Sequence, residues 1–175
     1  IRETAVEELS ETLRDGNKQE KEVALAELLG QMRHSKVRYI REQSAKGMGS
    51  IAEHDVKVRD ALVELLADEN AAVREATLIA LRTRLQSDGM VEAIQNAQKG
   101  IIDAFELERP MIERVHELIP DVNGRVRFNA IDALRVLVKR FHTESIAEVA
   151  TRLRDEEAWV RRHAAEMLCV ALYEA

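Results

Sequence analysis

The chain has one cysteine, two prolines, three phenylalanines, two tyrosines and one tryptophan in 175 residues. A single thiol, Cys169, excludes an internal disulfide and fits a reducing compartment. It lies in the apolar helical run 164–175 and reads as a small packed residue, not a reactive thiol. Aromatic scarcity argues against a β-sandwich, which draws on Val, Tyr, Phe and Thr. With so few prolines, and only seven glycines, little interrupts helices. No apolar run approaches the roughly 18 residues that span a bilayer, and no signal-peptide pattern is visible. Basic excess is missing too: the net charge is −6, which disfavours non-specific nucleic-acid binding. An intracellular protein, cytoplasmic or nuclear, is expected.

What the chain does have is a five-fold echo. A β-branched residue followed by arginine recurs as Ile1-Arg2, Ile40-Arg41, Val73-Arg74, Val126-Arg127 and Val160-Arg161. The steps are 39, 33, 53 and 34 residues, and a helical period in the thirties marks a stacked-helix solenoid. In the third copy Val73, Ala76, Thr77, Ala80, Leu81 and Leu85 fall on one helical face. The same register selects Val126, Asn129, Ala130, Ala133, Leu134 and Val138, then Val160, His163, Ala164, Met167, Leu168 and Leu172. In the second copy it selects Ile40, Gln43, Ser44, Gly47, Met48 and Ala52. The first copy, Ile1, Thr4, Ala5, Glu8, Leu9 and Leu13, is the most worn.

Shorter helices are predicted ahead of the later copies, at about 18–33, 56–67, 110–119 and 144–154. Asn17 with Glu20 forms a capping-box signature, and Asp55 and Thr143 suit N-caps. Pro110 suits a first turn, Pro120 a stop, and Gly16 a left-handed helix end. The long step holds a further stripe of Met90, Val91, Ile94, Ala97, Ile101, Ile102 and Phe105. This predicts an inserted helix over about 89–106, capped near Ser87 or Asp88. The resulting units are about 1–15, 17–53, 55–86, 109–142 and 143–175, in one array of nine or ten helices read as a segment of a longer chain.

Asp68, Asp121 and Asp155 each precede Arg74, Arg127 and Arg161 by six residues. The run Ala61-Leu62-Val63-Glu64-Leu65-Leu66-Ala67-Asp68 through Val73-Arg74, with Gly47-Met48-Gly49-Ser50-Ile51, resembles the HEAT repeat. The resemblance covers nearly the whole chain except 87–106; Ser35 departs from it where aspartate is expected. It implies an all-α fold, a right-handed α-solenoid of HEAT-like helix pairs. It also implies a structural ladder of Asp68, Arg74, Asp121, Arg127, Asp155 and Arg161. An aspartate complements the positive start of the second helix, and arginine's donors reach carboxylates or carbonyls of its own and the next repeat. Phosphate recognition by the in-register arginines is therefore the weaker reading.

No catalytic constellation emerges. Gly47-x-Gly49 lies inside a helical pattern without a P-loop's other parts. Gly47 aligns with Ala80 and Ala133, which predicts close helix contact, and Gly49 aligns with the exposed Arg82. His116-Glu117 is similar to the His-Glu pairs of deoxyhypusine hydroxylase, but one pair stands where that family uses several. No metal, no cofactor and no enzymatic activity are expected. The Val-Arg helices should line a concave face presenting Glu42, Lys46, Glu75, Ile79, Arg82, Phe128, Asp132, Arg135, Arg162 and Glu166. Of these, Glu42, Glu75, Arg82, Phe128, Arg135 and Arg162, with the turn residue Trp159, are the candidate partner-binding residues. The expected role is a non-catalytic scaffold that binds another protein or peptide. The alternative is a chromosome-organising type of subunit that binds DNA through basic turns: Arg33, His34, Lys36, Arg38 and Arg41; Arg135, Lys139, Arg140 and His142; and Arg152, Arg154, Arg161 and Arg162. Contact with flanking repeats of the same parent chain is possible; a membrane is not expected.

Overall fold

The computed structural model describes residues 2–49, 51, 55–99, 103–140 and 142–173. Of the positions named above, Ile1, Ser50, Ala52, Ile101 and Ile102, and the side chains of Arg2, Thr4 and Leu172, lie outside the described residues. Among the described residues there are eleven α-helices, one 3-10 turn and no strand. The chain divides into two compact units, residues 1–83 and 84–175.

The first unit holds α1 (Arg2–Asp15), α2 (Lys18–His34), α3 (Arg38–Met48), α4 (Val56–Leu65) and most of α5 (Ala71–Leu85). Helices α1, α2 and α3 pack on one another, and α4 packs on α2. The capping box at Asn17 is formed: its side chain accepts the Gln19 and Glu20 N–H groups, and Glu20 returns a bond to the Asn17 N–H. Asp55 caps α4 by accepting the Lys57 and Val58 N–H groups. Gly16, in contrast, does not take the left-handed conformation; its N–H continues the helical pattern to Thr12 O at 2.9 Å. Gly47 is a close-contact glycine, since a Cβ there would lie 2.2 Å from Ser10 Oγ on α1. Gly49 is buried where its aligned Arg82 is half-buried, and a Cβ there would press on the Ala80 Cα at 3.2 Å.

The second unit contains α6 (Asp88–Gln98), α7 (Asp103–Glu117), α8 (Gly124–Ala133), α9 (Arg135–Lys139), α10 (Thr143–Thr151), a 3-10 turn (Arg152–Arg154) and α11 (Ala158–Tyr173). The single helix predicted for 89–106 is two: α6, capped by Ser87, and the opening of α7. Pro110 therefore stands inside α7, not in a first turn. The predicted Val126 helix is also divided, at Leu134. The Gln86 side-chain amide, 46 residues away in sequence, donates to the Asp132 carbonyl at 2.9 Å and enters the helical ladder there. This division accounts for one helix more than predicted.

The apolar stripes fill the cores. Val73, Ala76, Thr77, Ala80, Leu81 and Leu85 are all buried, as are Val126, Ala130, Ala133, Leu134 and Val138. In α1 the buried residues are Val6 and Leu13, while Ala5 is exposed and Leu9 half-buried. Cys169 is exposed, contrary to the packed residue expected from its apolar surroundings.

Candidate functional site

Each Val-Arg helix begins with the same hydrogen-bonded turn. A side-chain oxygen accepts the N–H two residues on: Asp68 from Asn70 and Asp121 from Asn123 at 2.8 Å, and Asp155 from Glu157 at 2.9 Å. Ser35 does the same for Val37 at 3.2 Å, so a hydroxyl replaces the carboxylate in this role. The caps themselves fall to residues not singled out in the sequence. Asn70 accepts the Ala72 N–H, and Asn123 accepts those of Arg125 and Val126. An asparagine two places after the aspartate is the readable signal.

The arginine six residues on then returns to this turn. Nη1 of Arg41, Arg74, Arg127 and Arg161 donates to the carbonyls of Ser35, Asp68, Asp121 and Asp155 at 2.9, 2.7, 2.9 and 2.7 Å. Two arginines also reach the next turn's carboxylate with both remaining nitrogens. Arg41 Nε and Nη2 lie 2.6 and 3.0 Å from Asp68, 27 residues on, within the first unit. Arg127 Nε and Nη2 lie 2.8 and 2.7 Å from Asp155, 28 residues on, within the second. The second pair is the drier, with side chains 3% and 1% exposed.

Burial alone would push the carboxyls of Asp68 and Asp155 up. The arginine hydrogen bonds, the backbone N–H and nearby guanidinium charge overcome it and hold both below the usual carboxylate range. The hydrogen bonds raise Arg41 and Arg127 correspondingly.

The candidate partner-binding residues sort differently. Glu42 pairs with Lys46, Arg135 with Asp132, and Arg162 with Glu166, each within one turn of its helix. Ile79 is exposed, and Glu75 and Arg82 are half-buried. Asp132, expected to face outward, is buried beside His163, whose Nε2 lies 3.7 Å from it. Phe128 is also partly covered. Its ring stacks on His163 at 3.9 Å and meets Trp159 at 5.5 Å. Trp159 rests over Gly124, where a Cβ would lie 3.0 Å from the indole Cζ2, and its Nε1 donates to Glu157. It remains 42% exposed.

A histidine cluster was not foreseen. His142, not Thr143, caps α10: its Nδ1 accepts the Ser145 N–H at 3.3 Å. The buried Ser145 hydroxyl lies 2.9 Å from both His142 Nδ1 and His116 Nε2. Burial pushes both imidazoles below their ordinary value. Residues 26 apart carry no periodic signal that would join them. Among the described residues, no group of three or more His, Cys, Asp or Glu side chains could hold a metal ion. No described helix is long and apolar enough to cross a membrane.

No protein-family model matches the chain, and no curated protein matches it. Its backbone is similar to a crystal structure of an engineered protein, with a TM-score of 0.56 and 18% identity, covering 97% of this chain and 80% of that one. This likeness bears on the fold alone.

Proposed function

We propose that the chain is a segment of a HEAT-type α-solenoid that acts as a non-catalytic scaffold for another protein. The recurrent rung carries the reading. In each unit an arginine fastens its own turn through a carbonyl and the following turn through a carboxylate. Interactions of that kind lock successive helix pairs side by side and leave the outer helix faces for recognition. Those faces present Glu42, Glu75, Ile79 and Arg82 in the first unit and Phe128, Arg135 and Arg162 in the second. Paired charges around occasional apolar residues suit a protein surface.

The basic turns support nucleic-acid binding less well. Arg41 is buried on Asp68, Arg33 pairs with Glu64, and Arg135, Arg152 and Arg162 each have a carboxylate nearby. Titration with duplex DNA at low and moderate salt separates the readings. Weak binding is expected. Tight, steeply salt-dependent binding lost in Arg38→Glu or Arg162→Glu would reverse the assignment. Affinity capture from native lysate should yield a protein partner whose retention drops when Glu75 and Arg82 are both charge-reversed.

A further inference from the structure

We infer that one edge of the second unit, formed by the turns before α8 and α11, docks an acidic peptide segment anchored by an apolar side chain. This inference rests on the scaffold reading and names the chemistry of a partner.

The edge is rigid. Arg127 donates to the carbonyls of Asp121 and Val122 in the first turn and to the Asp155 carboxylate in the second. Trp159, in the first turn of α11, lies on Gly124, the first residue of α8, where a Cβ would press on the indole Cζ2 at 3.0 Å. Apolar surface is nevertheless left to solvent: Val122 is 91% exposed, Leu153 44% and Trp159 42%. Large apolar groups held open on a pre-ordered frame lose little entropy on binding. Tryptophan and arginine are also the residue types that dominate binding energy at interfaces.

Charge selects the occupant. Arg125 and Arg154 are exposed and make no ion pair among the described residues. Arg161 is exposed too, with only Nη1 engaged in bonds to the turn carbonyls. The most central carboxylate, Asp155, is consumed internally by Arg127. What the two turns and the helix starts after them expose is Val122, Leu153 and Trp159 together with Arg125, Arg154 and Arg161. Glutamates or aspartates either side of a leucine-like or aromatic residue complement it. A nucleic-acid strand fits less well. Glu156 and Glu157 stand among the arginines, but both are engaged within the edge, Glu156 by Arg127 Nη2 at 3.2 Å and Glu157 by Trp159 Nε1 at 3.2 Å, and a single exposed tryptophan is not a stacking series for a nucleic-acid strand.

The test is selection from a random peptide library on the full chain, with Trp159, the only tryptophan, as the fluorescent reporter of binding by enriched peptides. Enriched sequences should place acidic residues around an apolar one. Their affinity should fall about tenfold in Arg125→Glu/Arg154→Glu, from loss of attraction and added repulsion at two rim positions. Val122→Asp should also weaken them while leaving circular dichroism unchanged. Enrichment of neutral or basic peptides, no sequence preferring the parent chain over the double variant, or tighter binding of a duplex oligonucleotide each overturns the inference. If it falls while a lysate partner is still retained through Glu75 and Arg82, the scaffold reading stands without this site.

Discussion

Removing either member of the Arg127–Asp155 pair should destabilise the protein far more than removing both would suggest. Their side chains are 3% and 1% exposed, so water cannot replace a lost partner. Arg127→Met leaves the Asp155 carboxylate buried with its main counter-charge gone, and Asp155→Ala leaves a buried guanidinium with only the exposed Glu156 carboxylate, 3.2 Å from Nη2, beside it. Each is expected to cost about 3–5 kcal/mol, so the two costs sum to roughly 6–10 kcal/mol. The double variant strands no charge. It loses the Arg127 bonds to two carbonyls and the Glu157 N–H bond to Asp155, at about 1 kcal/mol each. The coupling should therefore be about 3 kcal/mol or more. Urea unfolding of the four proteins, followed by circular dichroism, measures it. In thermal scans each single variant should melt at least about 12 °C lower, taking the unit as the folding element. Additivity within about 0.5 kcal/mol would refute the reasoning, because the pair would then hold no energy of its own. An acid limb checks the same pair. Asp155 is held below its ordinary carboxylate value of 3.8, so the unfolded chain binds that proton first. The stabilisation is complete above that value and is lost as pH falls through the folded one. Asp155→Asn should flatten that limb.

Glycine replacements should split in sign: Gly30→Ala should raise stability by up to about 1 kcal/mol, because a Cβ there meets nothing within 4 Å, whereas Gly49→Ala should lower it against the Ala80 backbone. Equal effects in thermal melts would contradict this. Pro110→Ala should stabilise by about 1–3 kcal/mol, since it restores a donor inside α7 at an exposed position; a lower melting temperature would show that the ring's packing outweighs the missing bond. His116 and His142 are half-buried, which holds both below the ordinary value of 6.5, and the charges around them come from Arg109, Glu113, Glu144 and Glu148. The unfolded chain protonates first, so stability should fall as pH drops below about 6.5, and proton NMR should show both imidazoles titrating below that value. A flat stability profile, or either imidazole titrating at or above it, would count against the cluster.

The architecture was legible where one physical requirement repeats. Apolar residues at helical spacing had to be buried, and Val73, Leu81, Val126, Leu134 and Val160 are. The Asp-to-Arg interval of six residues was equally plain, but its geometry was not. The arginine's recurrent target is a backbone carbonyl, which every residue has, and that is why Ser35 serves Arg41 as Asp121 serves Arg127. Only the reach to the following turn requires a carboxylate. The departure at Ser35 is thus a loss of charge, not of the turn.

Other misreadings have a different cause. The break at Leu134 and the histidine cluster at Ser145 involve groups distant in sequence. Gln86 reaches a carbonyl 46 residues away, and Ser145 joins two histidines, one of them 29 residues before it. Local propensity cannot encode such contacts. The outward face suffered likewise, because spacing assigns a direction to a side chain but not a cover. Phe128 points where the register placed it, yet His163 and Trp159 cover it. On the proposed docking reading, the interacting surface of the second unit moves from the middle of α8 toward the turns. There Val122, Leu153 and Trp159 remain open, while Arg127 engages the Val122 carbonyl and the Asp155 carboxylate. On that reading, the structural role of Arg127 and Asp155 and the recognition role of the exposed arginines and apolar side chains fall to the same turns.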